Sequence, residues 1–223
     1  MGAFAAMFVR RDESRDGQKE NVNATRTNEP GELVSTDKPV EISNRACFGA
    51  GCYWGTEKYF RYDFPKLHKN GSVYATAVGF MGPKHAKRNP SYREVCSGRT
   101  GHVEVFDFAF SGGAEYYSQL VHYFFQFHDP TTLNRQGNDK GTQYASVIYC
   151  YDQQQFEIAT RVKHKLQQLL NEQKLNCYSN NIVDTDIRMC TTFYPADEEH
   201  QNYLMENPGG YCNHRLRFTH WPK

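Results

Sequence analysis

The chain has 223 residues, enough for one domain with extensions and a sizeable core. Its 26 basic and 25 acidic residues leave a net charge of +1, so no charge imbalance points to nucleic acid or a membrane surface. No apolar run approaches the ~20 residues of a membrane span. Seven cysteines, an odd number without a C-x-x-C pair, indicate neither a disulfide framework nor a zinc site and suit a reducing compartment.

From Arg10 to Lys38 the chain is charged, polar and almost free of large apolar side chains. That composition predicts a disordered extension over 1–43, followed by a single domain over 44–223. The apolar stretch Ala3–Val9 is too short for a secretory signal, and Asp12, Glu13, Asp16 and Glu20 argue against a transit peptide. Ala6 stands where a myristoylation pattern wants Ser or Thr. The expected compartment is the cytosol, with weaker support for the mitochondrion.

Ala46-Cys47-Phe48 reads as a short buried strand, and residues 55–63 as a helix ending before Pro65. Between them runs Gly49-Ala-Gly-Cys-Tyr-Trp-Gly-Thr-Glu57, with one cysteine among flexible glycines. Cys52 is thereby placed in a strand-to-helix turn, near unpaired backbone N–H groups and the positive end of a helix. Such surroundings favour the thiolate, which is the nucleophilic form. An inert core cysteine is the alternative, but the glycines open the space that packing would close.

Residues 72–80 read as a strand, 81–99 as a long loop, and 102–110 as a second strand. Alternation on that strand puts Glu104 on the face of Phe106, Phe108 and Phe110, where lost hydration would keep a carboxyl protonated. A solvated strand end, or a basic partner, would leave it an ordinary surface acid. A helix over 115–127, a polar loop over 130–143 and a strand over 144–151 follow. The predicted fold is α+β, with a ferredoxin-like β-α-β-β-α-β core. A long helix capped by Asp152, with Gln155 placed for a capping box, buries Phe156, Ala159, Val162, Leu166, Leu169 and Leu170. A strand near 182–192, a short helix near 196–205 and an irregular tail complete the chain. Gly137–Tyr144 taken alone reads as turn chemistry, and Cys212 after Asn207-Pro-Gly-Gly-Tyr as a surface thiol on a flexible segment.

Gly51-Cys-Tyr-Trp-Gly-Thr-Glu57, Asn89–Gly98, Thr100-Gly-His-Val-Glu104, His128-Asp-Pro-Thr131, Gln136–Tyr144, Asp197–Leu204 and Asn207–Cys212 together resemble the A-type peptide methionine sulfoxide reductases. The resemblance runs from about Cys47 to Cys212. It implies that Cys52 attacks the sulfur of a methionine-S-sulfoxide, that Glu104 protonates the oxygen, and that Tyr92 and Tyr144 donate hydrogen bonds to it. Tyr53 and Trp54 would enclose the S-methyl group, and Asp139 would hold the substrate's backbone or amino group. Cys52 would be left as a sulfenic acid, Cys212 would close a disulfide with it, and thioredoxin would reopen that disulfide. Neither metal nor organic cofactor is implied. The expected partners are thioredoxin and oxidised proteins, peptides or free methionine sulfoxide, with no nucleic acid or membrane, and the expected state is a monomer.

Four departures stand out against the family. Tyr53 replaces the usual Phe, Ala145 the usual Arg, the 82–89 loop is longer and more basic, and no cysteine follows Cys212. A cysteine hydrolase and a silent binder of oxidised methionine are the competing function classes. The hydrolase would need an essential histidine and tolerate loss of Cys212; the silent binder would have no use for Cys52, Glu104 and Cys212 together.

Overall fold

The computed structural model describes residues 41–223, which fall within one unit spanning Pro39–Lys223. The expected disorder over 1–43 lies almost wholly outside the described residues. Six strands form one mixed sheet in the order β7–β6–β1–β3–β2–β8. They are β1 (Arg45–Ala50), β2 (Val73–Met81), β3 (Val103–Phe110), β6 (Ser146–Cys150), β7 (Asp186–Met189) and β8 (Phe193–Pro195). All neighbours are antiparallel except β6 and β7, which are parallel. A separate two-stranded ribbon joins β4 (Arg135–Gln136) to β5 (Asp139–Lys140).

One face of the sheet carries the main core. Phe48 on β1 lies under a crowd of rings, with Phe60 at 4.8 Å, Phe124 at 5.4 Å and Phe108 at 5.9 Å between centroids. Offset and tilted ring pairs of this kind add to the area they bury. The helices α4 (Gly113–Phe127) and α5 (Gln153–Asn171) cover that face. The opposite face holds a smaller patch of Cys47, Met81, Val103, Val105, Val147 and Tyr149.

Several elements differ from the sequence reading. Pro65 does not end the first helix. α1 (Tyr53–Lys58) passes through a π-helical stretch, Tyr59–Asp63, into α2 (Phe64–Leu67), where Pro65 stands in the first turn. Because the helix continues unbroken, Pro65 costs it a backbone hydrogen bond, and the π-helical stretch lies just before the residue that cannot make that bond. The 81–99 loop contains α3 (Tyr92–Cys96), started by a capping box in which Ser91 and Glu94 satisfy each other's backbone. Tyr144 belongs to a 3-10 turn, Thr142–Tyr144, and the strand begins only at Ser146. The strand expected near 182–192 is reduced to β7, with β8 following beyond it, and Asn202, with φ 57°, separates a 3-10 turn at Glu198–His200 from α6 (Tyr203–Glu206).

On α5 the buried stripe uses Ile158 in place of Phe156, which stays half-buried. Asp152 caps the helix as expected, accepting from Gln155 N at 2.7 Å. The Gln155 side chain does not return to the Asp152 backbone. It donates instead to the carbonyls of Ser43 and Arg45, at 3.1 and 2.7 Å, and so ties the helix to β1.

Candidate active site

The turn after β1 is shaped by two glycines. Gly51 has φ +95°, and a Cβ there would fall 2.4 Å from Gln136 Cβ, so only glycine lets the chain turn against the ribbon. Gly55 faces the His214 ring at a distance that leaves no room for a side chain. Between them Cys52 occupies the N-cap position of α1 and is 8% exposed.

Glu104, two residues into β3 opposite Phe80, is 2% exposed on the face that leads to Phe106 and Phe108. It accepts from the Tyr53 backbone N–H at 3.1 Å. Burial pushes its carboxyl up to about 8, against the opposing pull of that N–H. At neutral pH it is therefore mostly protonated, as the alternation argument expects.

Cys52 departs from expectation. Burial pushes the thiol well above its ordinary value, and Glu104 adds to the shift. The backbone N–H groups of Trp54 and Gly55 pull the other way without prevailing. The helix start does lower the cost of the thiolate, but desolvation by burial is the larger effect. At rest the sulfur is a thiol beside an uncharged acid.

Cys52, Tyr53, Trp54, Tyr92, Glu104, Asp139 and Tyr144 all line one cleft of about 70 Å³. That is far below the ~300–1,000 Å³ of sites that engulf drug-sized ligands, so it suits the tip of a side chain. Burial holds the Tyr92 and Tyr144 hydroxyls in their protonated, donating form. The Tyr92 hydroxyl lies beside the Cys96 thiol. Trp54 is stacked at 3.8 Å on Tyr203. Tyr53 is buried at 1% exposure, and its hydroxyl, the extra atom relative to Phe, has no hydrogen-bond partner among the described residues. Asp139 is half-buried, with its carboxyl pushed up by burial, and accepts from Asn213 Nδ2 at 2.8 Å.

Cys212 does not line the cleft. It is exposed, and its sulfur lies 3.8 Å from His214 Nδ1. All seven cysteines are free thiols. Among the described residues no group of three or more His, Cys, Asp or Glu side chains could hold a metal.

Sequence reasoning passed over three contributors. Tyr211 is the eighth lining residue; it lies within the Asn207–Cys212 stretch noted above, where no role was given to it. His200 packs against Tyr92 at 4.6 Å, Tyr53 at 5.6 Å and Trp54 at 5.8 Å, behind the aromatic wall. It falls within the Asp197–Leu204 stretch noted above, but its alignment with three wall residues had no mark in the sequence. His214 is buried beneath the Cys52 turn, outside every motif noted above.

Residues 44–221 match the family described as Peptide methionine sulfoxide reductase. A human protein named mitochondrial peptide methionine sulfoxide reductase is 39% identical over 220 residues, covering 95% of this chain and 84% of that protein. The peptide methionine sulfoxide reductase MsrA of Ectopseudomonas mendocina is 41% identical over 168 residues, 75% of this chain and 70% of its own. Among solved structures, reduced Mxr1 from Saccharomyces cerevisiae superposes with a TM-score of 0.65 at 30% identity, covering 81% of this chain and 94% of that one. Methionine sulfoxide reductase A of Corynebacterium diphtheriae gives 0.61 at 34%, with 79% of each chain covered.

Proposed function

The chain belongs to the peptide methionine sulfoxide reductase family and is an oxidoreductase acting on methionine sulfoxide; on that premise we propose that Cys52 is its nucleophile, Glu104 its acid and Cys212 the thiol that regenerates it. The observation that carries this reading is a thiol and a carboxyl held protonated to about pH 8 in one cleft of about 70 Å³.

Both groups hold protons at rest, so attack on the sulfoxide sulfur must be coupled to proton movement. Glu104 gives its proton to the sulfoxide oxygen, and the Cys52 proton replaces it, so the buried site never carries an uncompensated charge. The sulfur–oxygen bond of the substrate breaks, the oxygen ends on Cys52 as a sulfenic acid, and two electrons pass to methionine, which leaves. The Tyr92 and Tyr144 hydroxyls donate to the oxygen as it gains charge. Trp54 and Tyr53 enclose the S-methyl group, and Asp139 accepts from a substrate N–H. Because a methyl is a poor discriminator by size, these polar contacts select the S epimer.

Cys212 then displaces the hydroxyl of the sulfenic acid as water, and thioredoxin opens the resulting disulfide by exchange. In this reading the Cys52–Cys212 disulfide is thioredoxin's direct target. The proposed steps use neither a metal nor an organic cofactor.

We take residues 44–223 as one catalytic domain, acting as a monomer on free methionine sulfoxide and on oxidised proteins. The antiparallel order β6–β1–β3–β2 supports reading its core as ferredoxin-like. Relatives named mitochondrial place that organelle beside the cytosol as a compartment to be tested, by fractionation. No described helix is long and apolar enough to cross a membrane.

A thioredoxin-coupled assay with separated S and R sulfoxides tests the whole reading. The S epimer should be turned over and the R epimer spared. Cys52→Ser should release no methionine, and Cys212→Ser one equivalent per enzyme. Equal turnover of both epimers, or repeated turnover by Cys212→Ser, would defeat the corresponding part.

A further inference from the structure

His214 lies two residues beyond Cys212 and touches the backbone two residues before Cys52. Its Nε2 is 2.7 Å from the Ala50 carbonyl oxygen. A carbonyl only accepts, so Nε2 carries the hydrogen. Burial pushes the ring down to about 4, with Arg217 and Lys58 nearby disfavouring a further proton, so His214 is neutral at neutral pH. Its Nδ1 therefore bears a lone pair, and the Cys212 sulfur lies 3.8 Å from it. The remaining titratable neighbours are Tyr59, whose ring is 6.1 Å away, and the buried His128, itself held neutral by burial.

The ring is fixed in this attitude. A Cβ on Gly55 would fall 2.0 Å from Nδ1, so the imidazole fills the space above that glycine. Phe127 flanks it at 5.7 Å between centroids. The neighbouring tail residues are also tied down: Asn213 Nδ2 donates to Gln136 O at 2.6 Å, and Arg215 N to Phe127 O at 3.1 Å. Upstream, nothing approaches within 4 Å of a side chain built on Gly209. Cys212 thus sits between the open Gly209 position and a pinned imidazole that reaches the nucleophile's own turn.

We propose that His214 is the catalytic base of the regenerating half-reaction, its Nδ1 taking the thiol proton of Cys212 as that sulfur attacks the Cys52 sulfenic acid. The inference rests on the reading of Cys212 as the regenerating thiol. The Cys212–Cys52 sulfur–sulfur bond forms as the Cys52 sulfur–oxygen bond breaks. Cys212 sulfur is oxidised by one unit and Cys52 sulfur reduced by one. The displaced hydroxide takes a proton from the protonated Glu104 and leaves as water, and the proton on His214 is released to solvent, from which Glu104 is recharged. No reagent beyond the sulfoxide substrate is needed. A ring so reluctant to protonate accepts the proton only while the new bond is forming, and returns to the neutral state afterwards.

The test is one turnover of the full chain with methionine-S-sulfoxide and no thioredoxin. Methionine release and disulfide closure are both followed, the latter by loss of dimedone-reactive sulfenic acid. In His214→Phe, which keeps an aromatic ring but no acceptor, closure relative to methionine release should slow by about tenfold or more. His214→Asn, which offers a hydrogen-bond acceptor but no base, should slow closure about as much. Closure at the wild-type ratio in either variant overturns the proposal. So does a ¹⁵N spectrum of the reduced wild-type protein showing the hydrogen of His214 on Nδ1, a readout that needs no variant to fold. If Cys212→Ser itself turns over repeatedly, the underlying reading fails. If Cys212→Ser stops after one round while His214→Phe closes normally, only the role of His214 falls.

Discussion

The floor of the cleft and its rim are built on different principles. The floor is Cys52, Tyr53 and Glu104, each at most 8% exposed and held by regular elements, the start of α1 and the middle sheet strand β3. The rim is Asp139, Tyr144 and Tyr211, on a two-residue strand, a 3-10 turn and an irregular tail, all partly exposed. Burial sets the protonation states of the floor, whereas side-chain hydrogen bonds across distant segments hold the rim together. The proposed nucleophile and acid therefore sit on buried, regular elements, and the residues proposed for recognition sit on partly exposed, irregular ones.

The sharpest way to break this comparison is at the floor. Glu104→Gln keeps the shape and a hydrogen-bond acceptor for Tyr53 N but removes the transferable proton. Single-turnover methionine release should fall by about 10²–10⁴-fold, and an unchanged rate would remove Glu104 from the acid role. At the junction of floor and rim, Gly55→Ala drives a Cβ to within 2.0 Å of His214. It should destabilise the protein by about 1–3 kcal/mol, read from the urea midpoint.

Acid and alkali should act through different buried groups, with opposite signs. His128 and His214 are held down to about 3 and about 4, below the ordinary 6.5, so between those values the unfolded chain binds protons that the folded one refuses. Stability should fall as pH drops below about 6.5, by up to ~1.4 kcal/mol per pH unit per histidine. Glu104 works the other way. Its folded value of about 8 lies above the ordinary 4.5, so the folded protein keeps a proton that the unfolded chain releases. Its contribution should decline as pH rises through that interval, and Glu104→Gln should abolish this part of the profile. The smallest expected effect is Tyr53→Phe, which deletes a buried hydroxyl without a partner among the described residues. It should stabilise the protein by about 1 kcal/mol, and a loss of stability would mean that the hydroxyl is satisfied in solution.

The floor was legible in the sequence because its determinants are local. Period-two alternation leaves Glu104 no other face once Phe106, Phe108 and Phe110 are buried, and the glycines around Cys52 mark their own turn. The direction of the Cys52 shift was not legible, since it depends on how deeply the turn is covered and on how near Glu104 lies. Most of the rim escaped for the same reason. Asn213 meets Asp139 across 74 residues, and nothing around either residue announces the other. Within the fold, the capping box at Ser91 and Glu94 was written in the sequence as S-x-x-E yet was submerged in a polar loop. The π-helical stretch that carries the chain past Pro65 has no comparable signature.

The stack of Trp54 on Tyr203 has a practical consequence. The chain contains two tryptophans; Trp54 walls the cleft, and the other, Trp221, packs on His122 and Phe218 near the terminus. Replacing Trp221 with phenylalanine would leave a single indole emitter in the wall of the site. Its fluorescence would then serve as a built-in optical gauge of cleft occupancy, and changes in intensity on mixing would time each stage of a catalytic round without an added label.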